Sequence, residues 1–252
     1  MDKIVHDVNA AVADVVAGSS LAVGGFGLCG VPQLLIDAVH ALGVGELTVV
    51  SNNCGIDERG LGILLAAKQI RHVFASYIGE NAEFARQYLS GEIAVELVPQ
   101  GSLAERLRAA GAGIPAFYTP AGVGTMVSEG GLPLRHHPDG SVAEFVAAKE
   151  TRDFGGRTYL LETALPCDFA LVRAARADRF GNCAFHAAAR NFNPLCAMAG
   201  ATTIVEAEEV VEVGTLDPDA VHLPGVFVQR VVPLPVGTEK PIEKRTLRGG
   251  GR

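Results

Sequence analysis

The chain has 252 residues, 48% of them hydrophobic, and a formal net charge of −7 at pH 7. That length and apolar share describe a globular protein with a real core and exclude a disordered one. An acidic balance without a basic stripe makes nucleic acid a poor partner, and the absence of Trp with few Tyr and Phe argues against a platform for stacking bases. Cys29, Cys54, Cys167, Cys183 and Cys196 are scattered, odd in number and free of any Cys-x-x-Cys, so neither a disulfide framework nor a zinc knuckle is expected. The first ten residues, with Asp2, Lys3, His6 and Asp7, do not read as a signal peptide. No apolar run reaches the roughly 18 residues of a membrane span. A reducing cytoplasm is the expected location, with no membrane partner.

In chain order, a short apolar strand over 21–23 is followed by Gly24, Gly25, Phe26, Gly27, Leu28, Cys29 and Gly30, and then by a helix over 32–42 opened by Pro32. Four glycines in seven residues leave the backbone bare. Strand, bare loop and helix N-terminus together suit an anionic or phosphate-bearing ligand, though a plain tight turn reads equally well. The spacing is not Gly-x-Gly-x-x-Gly and no Gly-Lys-Ser/Thr follows, which disfavours a dinucleotide site or a P-loop. Strands over 47–51, 71–78 and 95–98 alternate with helices over 60–68, 82–90 and 103–110; Ser102 and Glu105 form a capping-box pattern before the last of these. Repeated β-α units predict an α/β fold with an open, mostly parallel sheet and helices on both faces.

Residues 111–158 are rich in Gly and Pro and predict an irregular β excursion with a turn at 136–140. Strands return over 159–162, 169–172, 202–207 and 226–232, with a helix over 191–198. No internal repeat and no long linker is apparent, so 1–252 reads as one domain whose tail, 239–252, is expected to be flexible.

Ligands of open parallel sheets bind at the carboxyl ends of strands. Those ends carry the glycine loop, Asn52 and Asn53, the segment 79–81 and Gln100. Amide side chains can donate to a carboxylate or thioester oxygen without adding charge, although Asn and Gln also close turns. Glu80 and Glu129 are acidic candidates for a nucleophile or base, each more simply a helix-end or surface residue. The seven histidines show no metal spacing, and no metal site is expected. Cys29 and Cys54 sit in the loops as small packing residues, and Arg179 and Arg190 as surface ion-pair partners.

These residues carry a resemblance. Gly24-Gly25-Phe26-Gly27-Leu28-Cys29-Gly30-Val31-Pro32, Val50-Ser51-Asn52-Asn53-Cys54-Gly55, Ser76-Tyr77-Ile78-Gly79-Glu80-Asn81-Ala82-Glu83-Phe84, Val98-Pro99-Gln100-Gly101, Gly113-Ile114-Pro115-Ala116-Phe117-Tyr118-Thr119 and Ala189-Arg190-Asn191-Phe192-Asn193-Pro194 occur in an order similar to that of the A (alpha) subunits of family I CoA-transferases, in particular their 3-ketoacid group. Ala17-Gly18-Ser19-Ser20 and Ala175 depart from the pattern. The resemblance implies the fold shared by CoA-transferases and some sugar-phosphate isomerases, with the Gly24–Gly30 stretch contacting coenzyme A. It implies that Asn52, Asn53 and Gln100 orient the acid substrate, with Glu80 and Asn81 as possible contributors. The family's nucleophilic glutamate lies in a Ser-Glu-Asn-Gly motif of the B subunit, and no such motif occurs here. The resemblance therefore implies a chain without a catalytic residue of its own, a B-subunit partner and ping-pong transfer of CoA from succinyl-CoA to a 3-oxoacid such as acetoacetate, with no cofactor beyond the substrate coenzyme A. Transfer to 3-oxoadipate, a sugar-phosphate isomerase and a ligand-sensing domain are the alternatives.

Overall fold

The structure, a computed structural model, describes residues 2–240. The first half runs α1 (Val8–Val12), β1 (Ser20–Val23), α2 (Gln33–Leu42), β2 (Leu47–Val50), α3 (Gly62–Ala66), β3 (Ile70–Ala75), α4 (Ala82–Leu89), β4 (Ala94–Leu97) and α5 (Gln100–Gly111). An excursion follows, with β5 (Ala116–Thr119), α6 (Met126–Glu129), β6 (Pro133–His136), β7 (Val142–Phe145), β8 (Thr151–Phe154) and β9 (Arg157–Thr163). The chain then returns through β10 (Cys167–Asp178), β11 (Cys183–Ala184), α7 (Asn193–Ala199), β12 (Gly200–Val211) and β13 (Arg230–Pro233). Of the tail expected from 239 onward, residues 241–252 lie outside the described residues.

The main sheet has eight strands in the order β13-β12-β10-β1-β2-β3-β4, all parallel, with β11 added antiparallel to β10. It is the α/β architecture the alternating elements predict. Strand residues alternate between two apolar layers, as the pleat requires. Leu21, Val23, Val49 and Leu171 join one layer with α1 to α4, while Ala22, Val50, Ala170 and Val172 join the other with α5 and α7. Both sheet edges are covered. The amino-terminal segment runs beside β13, with Val5 N–H donating to the Val231 carbonyl at 2.9 Å. At the other edge the β6–β7 hairpin leans on β4 and α4, where Tyr88 Oη donates to the Pro133 carbonyl at 2.7 Å. Covered edges cannot recruit stray strands.

Four elements differ from their sequence reading. Helix α5 begins at Gln100, not after Ser102, because Pro99 holds the extended conformation of a helix entrance (φ −51°) and its carbonyl accepts the Leu103 N–H at 2.9 Å. Ser102 is then buried inside the first turn, and Glu105 pairs with Arg108 on the surface instead of reaching back. β10 and β12 each run to twelve residues, well past the apolar cores at 169–172 and 202–207. The last strand starts only at Arg230, after a short 3₁₀ turn at Gly225–Phe227.

Candidate functional site

The chain lays down β1 first, adds β2, β3 and β4 on one side, and returns to add β10, β12 and β13 on the other. The carboxyl end of β1 is therefore a topological switch point, where open α/β sheets bind ligands. The glycine stretch leaves the sheet there. Gly24 N–H still donates to the Leu171 carbonyl at 3.0 Å, and the chain then folds into a tight turn in which Phe26 and Cys29 exchange backbone hydrogen bonds of 3.1 and 2.9 Å. Gly25, Gly27 and Gly30 have φ of 115°, 57° and 75°, a region that non-glycine residues resist.

A second turn copies the first thirty positions later. After β2, Ile56 and Arg59 exchange backbone bonds of 3.2 Å between Gly55 and Gly60, just as Phe26 and Cys29 do between Gly25 and Gly30. The same Gly-x-x-x-x-Gly spacing thus bounds both turns. The two turns clasp each other through amides. Asn53 Oδ1 accepts the Gly27 N–H at 3.1 Å, and Gln33 Oε1 accepts the Gly60 N–H at 2.8 Å.

Between the turns lies a cavity of about 300 Å³ lined by Phe26, Gly27, Leu28, Cys29, Asn52, Asn53, Gly55, Ile56, Tyr77 and Glu80. Phe26 and Tyr77 are 49% and 56% exposed at its mouth, and Glu80 is an exposed carboxylate beside them. Cys29 is half-buried in the wall, and burial pushes its thiol up from the usual range. A larger, charged cavity of about 700 Å³ lies at the opposite, amino ends of β2 to β4, away from both turns.

The amides have defined roles. Asn52 Oδ1 accepts from Gln100 Nε2 and from Ser76 Oγ, both at 2.8 Å, which fixes the flip of its amide. Its Nδ2 is left with a long 3.4 Å contact to Asn53 Oδ1. Asn53 Nδ2 has no partner among the described residues. Two amide N–H groups are thus available at the cavity, held by residues whose oxygens are occupied. Gln100 is exposed and acts on the cavity through Asn52. Asn81 is wholly buried: its Oδ1 caps α4 through Phe84 N–H at 2.8 Å and its Nδ2 donates to the Cys54 carbonyl at 3.2 Å, so its side chain is spent on the fold. Glu129 ends α6 in the excursion, away from the cavity.

Two sequence expectations about the glycine stretch are corrected. The first concerns what the bare backbone is bare for. A Cβ on Gly24 would lie 2.0 Å from Asn193 Oδ1, and one on Gly30 would lie 2.8 Å from Asn193 Nδ2. At those two glycines the space is filled by the protein itself. Asn193, wholly buried at the start of α7, accepts the Arg173 N–H at 3.0 Å and donates to the Gly30 and Ala189 carbonyls at 3.0 and 2.8 Å. The second concerns α2. Its amino end is not free for a phosphate: Gln33 N–H donates to the Val31 carbonyl at 3.0 Å, and Leu35 N–H to the buried carboxylate of Glu206 at 3.1 Å. Gln33 and Glu206 go unnamed in the sequence reading, and Tyr77 and Asn193, though part of the motifs that carry the resemblance, have no role there. Only the repeated Gly-x-x-x-x-Gly spacing could have pointed to the second turn.

A switch-point cavity walled by two glycine-bounded turns and furnished with amide donors belongs to a ligand-binding α/β protein. Residues 5–233 match the family described as coenzyme A transferase, and the chain belongs to that family. It is 60% identical over 248 residues to a protein of Mycobacterium tuberculosis (strain ATCC 25618 / H37Rv) named as the probable A subunit of succinyl-CoA:3-ketoacid coenzyme A transferase, covering 98% of this chain and 100% of that one. It is 52% identical over 239 residues to the mitochondrial succinyl-CoA:3-ketoacid coenzyme A transferase 2B of Mus musculus, covering 94% of this chain but 46% of the mouse protein, about half its length. Among solved structures, the acyl-CoA transferase YdiF from E. coli O157:H7, as a thioester complex with CoA, matches with a TM-score of 0.77 at 23% identity, covering 100% of this chain and 49% of that one; it shows the shared fold. No helix among the described residues is long and apolar enough to cross a membrane.

Proposed function

We propose that this chain is the A subunit of a heteromeric CoA-transferase that moves CoA from succinyl-CoA to a 3-oxoacid such as acetoacetate. The observation that carries the reading is the 60% identity, end to end, with a protein named as such a subunit. The cavity is compatible with it: amide donors and an exposed Glu80 line it, as a wall that would face a partner's glutamate does. The mouse protein supports it too: more than half of that longer chain lies outside the match and leaves room for such a second unit.

The partner's glutamate attacks the succinyl-CoA thioester carbonyl, giving a mixed anhydride and CoA thiolate. The thiolate attacks the glutamyl carbonyl, succinate leaves, and a glutamyl-CoA thioester remains. The acetoacetate carboxylate attacks that thioester and releases the thiolate, which then takes the acetoacetyl group and frees the glutamate. Each step develops negative charge on a carbonyl oxygen. The free N–H groups of Asn52 and Asn53 would meet that oxygen or the acid's carboxylate, and the Phe26–Cys29 turn would line the path of CoA. Walls that exclude water protect both intermediates from hydrolysis.

The test is co-expression with a chain carrying Ser-Glu-Asn-Gly, followed by assay with succinyl-CoA and acetoacetate, each chain alone serving as control. Full turnover by this chain alone would sink the reading. In the complex, Asn53→Ala should lower kcat by about 10²-fold, because it removes a donor and releases Gly27. Gln100→Ala should lower it only about tenfold, since Gln100 acts through Asn52. Wild-type kinetics in both variants would refute the assignment. Iodoacetamide should alkylate Cys29 ahead of the other four cysteines, which are at most 5% exposed, and bound CoA should slow that reaction. Mass spectrometry of the labelled peptides reads both effects.

A further inference from the structure

Behind the glycine turn, Glu206 of β12 is wholly buried. The local sequence at the start of α2, Val31-Pro32, offers no capping side chain. Glu206 supplies the cap from a strand far along the chain. Its Oε2 accepts the Leu35 N–H at 3.1 Å, and the Leu34 N–H is also turned on the carboxylate. Its Oε1 lies 3.3 Å from Arg173 Nη1 on the neighbouring β10, and Arg173 Nε reaches Glu208 at 3.2 Å. The backbone N–H of that same Arg173 holds Asn193, the side chain that fills the space beside Gly24 and anchors Gly30. Glu206 is therefore linked to both ends of the turn, to one through the start of α2 and to the other through Arg173 and Asn193.

We propose that Glu206 is a positioning residue of the site, which fixes where α2 begins and thereby where the Gly24–Gly30 turn sits. The proposal rests on reading that turn as the CoA-contacting element. Burying a carboxylate and a guanidinium costs desolvation that their mutual attraction only repays in good geometry, and well-packed apolar replacements of such pairs are often neutral or stabilising. Stability alone does not call for the pair, whereas a fixed helix start does.

The groups facing Glu206 are Arg173 from β10, Glu208 on its own strand, Asp37 and the Leu34 and Leu35 amides from α2, with Lys240 beyond Glu208 at 2.5 Å. Burial pushes its carboxyl up to about 8, with Arg173 and the amides pulling the other way. A raised folded value means that the native state holds this proton more tightly than the unfolded chain does. The contribution is complete below the ordinary carboxylate range and is lost as pH rises towards 8.

The experiment compares wild type, Glu206→Gln and the double variant Glu206→Met/Arg173→Met, each as full chain and as the A/B complex. In the double variant the KM for the CoA ester should rise about tenfold with kcat changed less than about threefold, while Glu206→Gln, neutral like the protonated carboxyl, should stay close to wild type below about pH 8. Amide exchange at residues 24–30 and 33–35 of the double variant should quicken in the chain alone, while its Tm stays within a few degrees of wild type. The fall of wild-type stability between pH 5 and 8 should flatten in Glu206→Gln. Unchanged KM and exchange in the folded double variant would overturn the proposal, as would losses that merely follow Tm. A double variant that does not fold counts against it as well, since the pair would then be needed for the fold. If the wild-type complex transfers no CoA, the function falls, and exchange in the chain alone still decides the role of Glu206.

Discussion

Gly24→Ala should destabilise the chain by about 4 kcal/mol and abolish CoA transfer. The new Cβ would lie 2.0 Å from Asn193 Oδ1, 2.7 Å from its Cγ and 3.1 Å from its Cα. Asn193 cannot swing aside cheaply, because its amide serves the Arg173 N–H and the Gly30 and Ala189 carbonyls at once. Overpacking a tight core costs about 1–3 kcal/mol, and each buried polar group left unpaired costs about 1–3 kcal/mol more. Against a total stability of about 5–15 kcal/mol that is a large fraction. Denaturant unfolding of the full chain measures it. Asn193→Ala alone should also destabilise, and the double variant should be more stable than the sum of the two losses predicts, because the clash disappears with the side chain. Gly101 provides the contrast. It lies inside α5 with nothing within 4 Å of where a methyl would stand, so Gly101→Ala should stabilise by about 0.5–1 kcal/mol. A Gly24→Ala chain within 0.5 kcal/mol of wild type would show that Asn193 does not hold the turn.

Gly24 also marks the boundary between what the sequence could reveal and what it could not. The strand, glycine turn and helix at 21–42 follow from local composition, and so does the amide-bearing end of β2. The reason for the glycines does not, because Asn193 reaches them from the far half of the chain. β10 and β12 are legible only in their apolar middles for a related reason. Arg173 and Arg176 stand opposite Glu206 and Glu209 in register, and each pair forms an ion pair across the strands. In one dimension those charges look like the ends of strands; paired side by side they extend the ladder. The capping box at Ser102 failed in the opposite sense, since a sound local signal yielded to a proline three residues earlier.

Arg106→Met should cost about 3–5 kcal/mol, although α5 would keep its helix-forming sequence and gain an apolar residue. Arg106 is 5% exposed. Its Nη1 lies 2.8 Å from Glu96 Oε1 of β4, its Nε donates to the Thr163 carbonyl at 2.8 Å and stands 3.7 Å from Glu162 Oε2, and its guanidinium sits 5.5 Å over the Phe74 ring. Glu162, itself 1% exposed on β9, has Lys149 Nζ as its other partner at 2.6 Å. Removing Arg106 leaves Glu96 without its cation, the Thr163 carbonyl without its donor and Glu162 dependent on one lysine. Arg108→Ala on the same helix is the control: its surface pair with Glu105 should be worth less than about 0.5 kcal/mol. The loss should reach the site as well. Arg106 ties α5 to the sheet and to the excursion, and the first residue of α5 is Gln100, which sets the amide of Asn52. Turnover in the complex should therefore fall in Arg106→Met even at temperatures where the variant remains folded, and replacing Glu96 by Gln in that background should recover part of the stability but little of the turnover. Equal unfolding midpoints for Arg106→Met and Arg108→Ala would remove the buried cluster from any account of how the excursion is held.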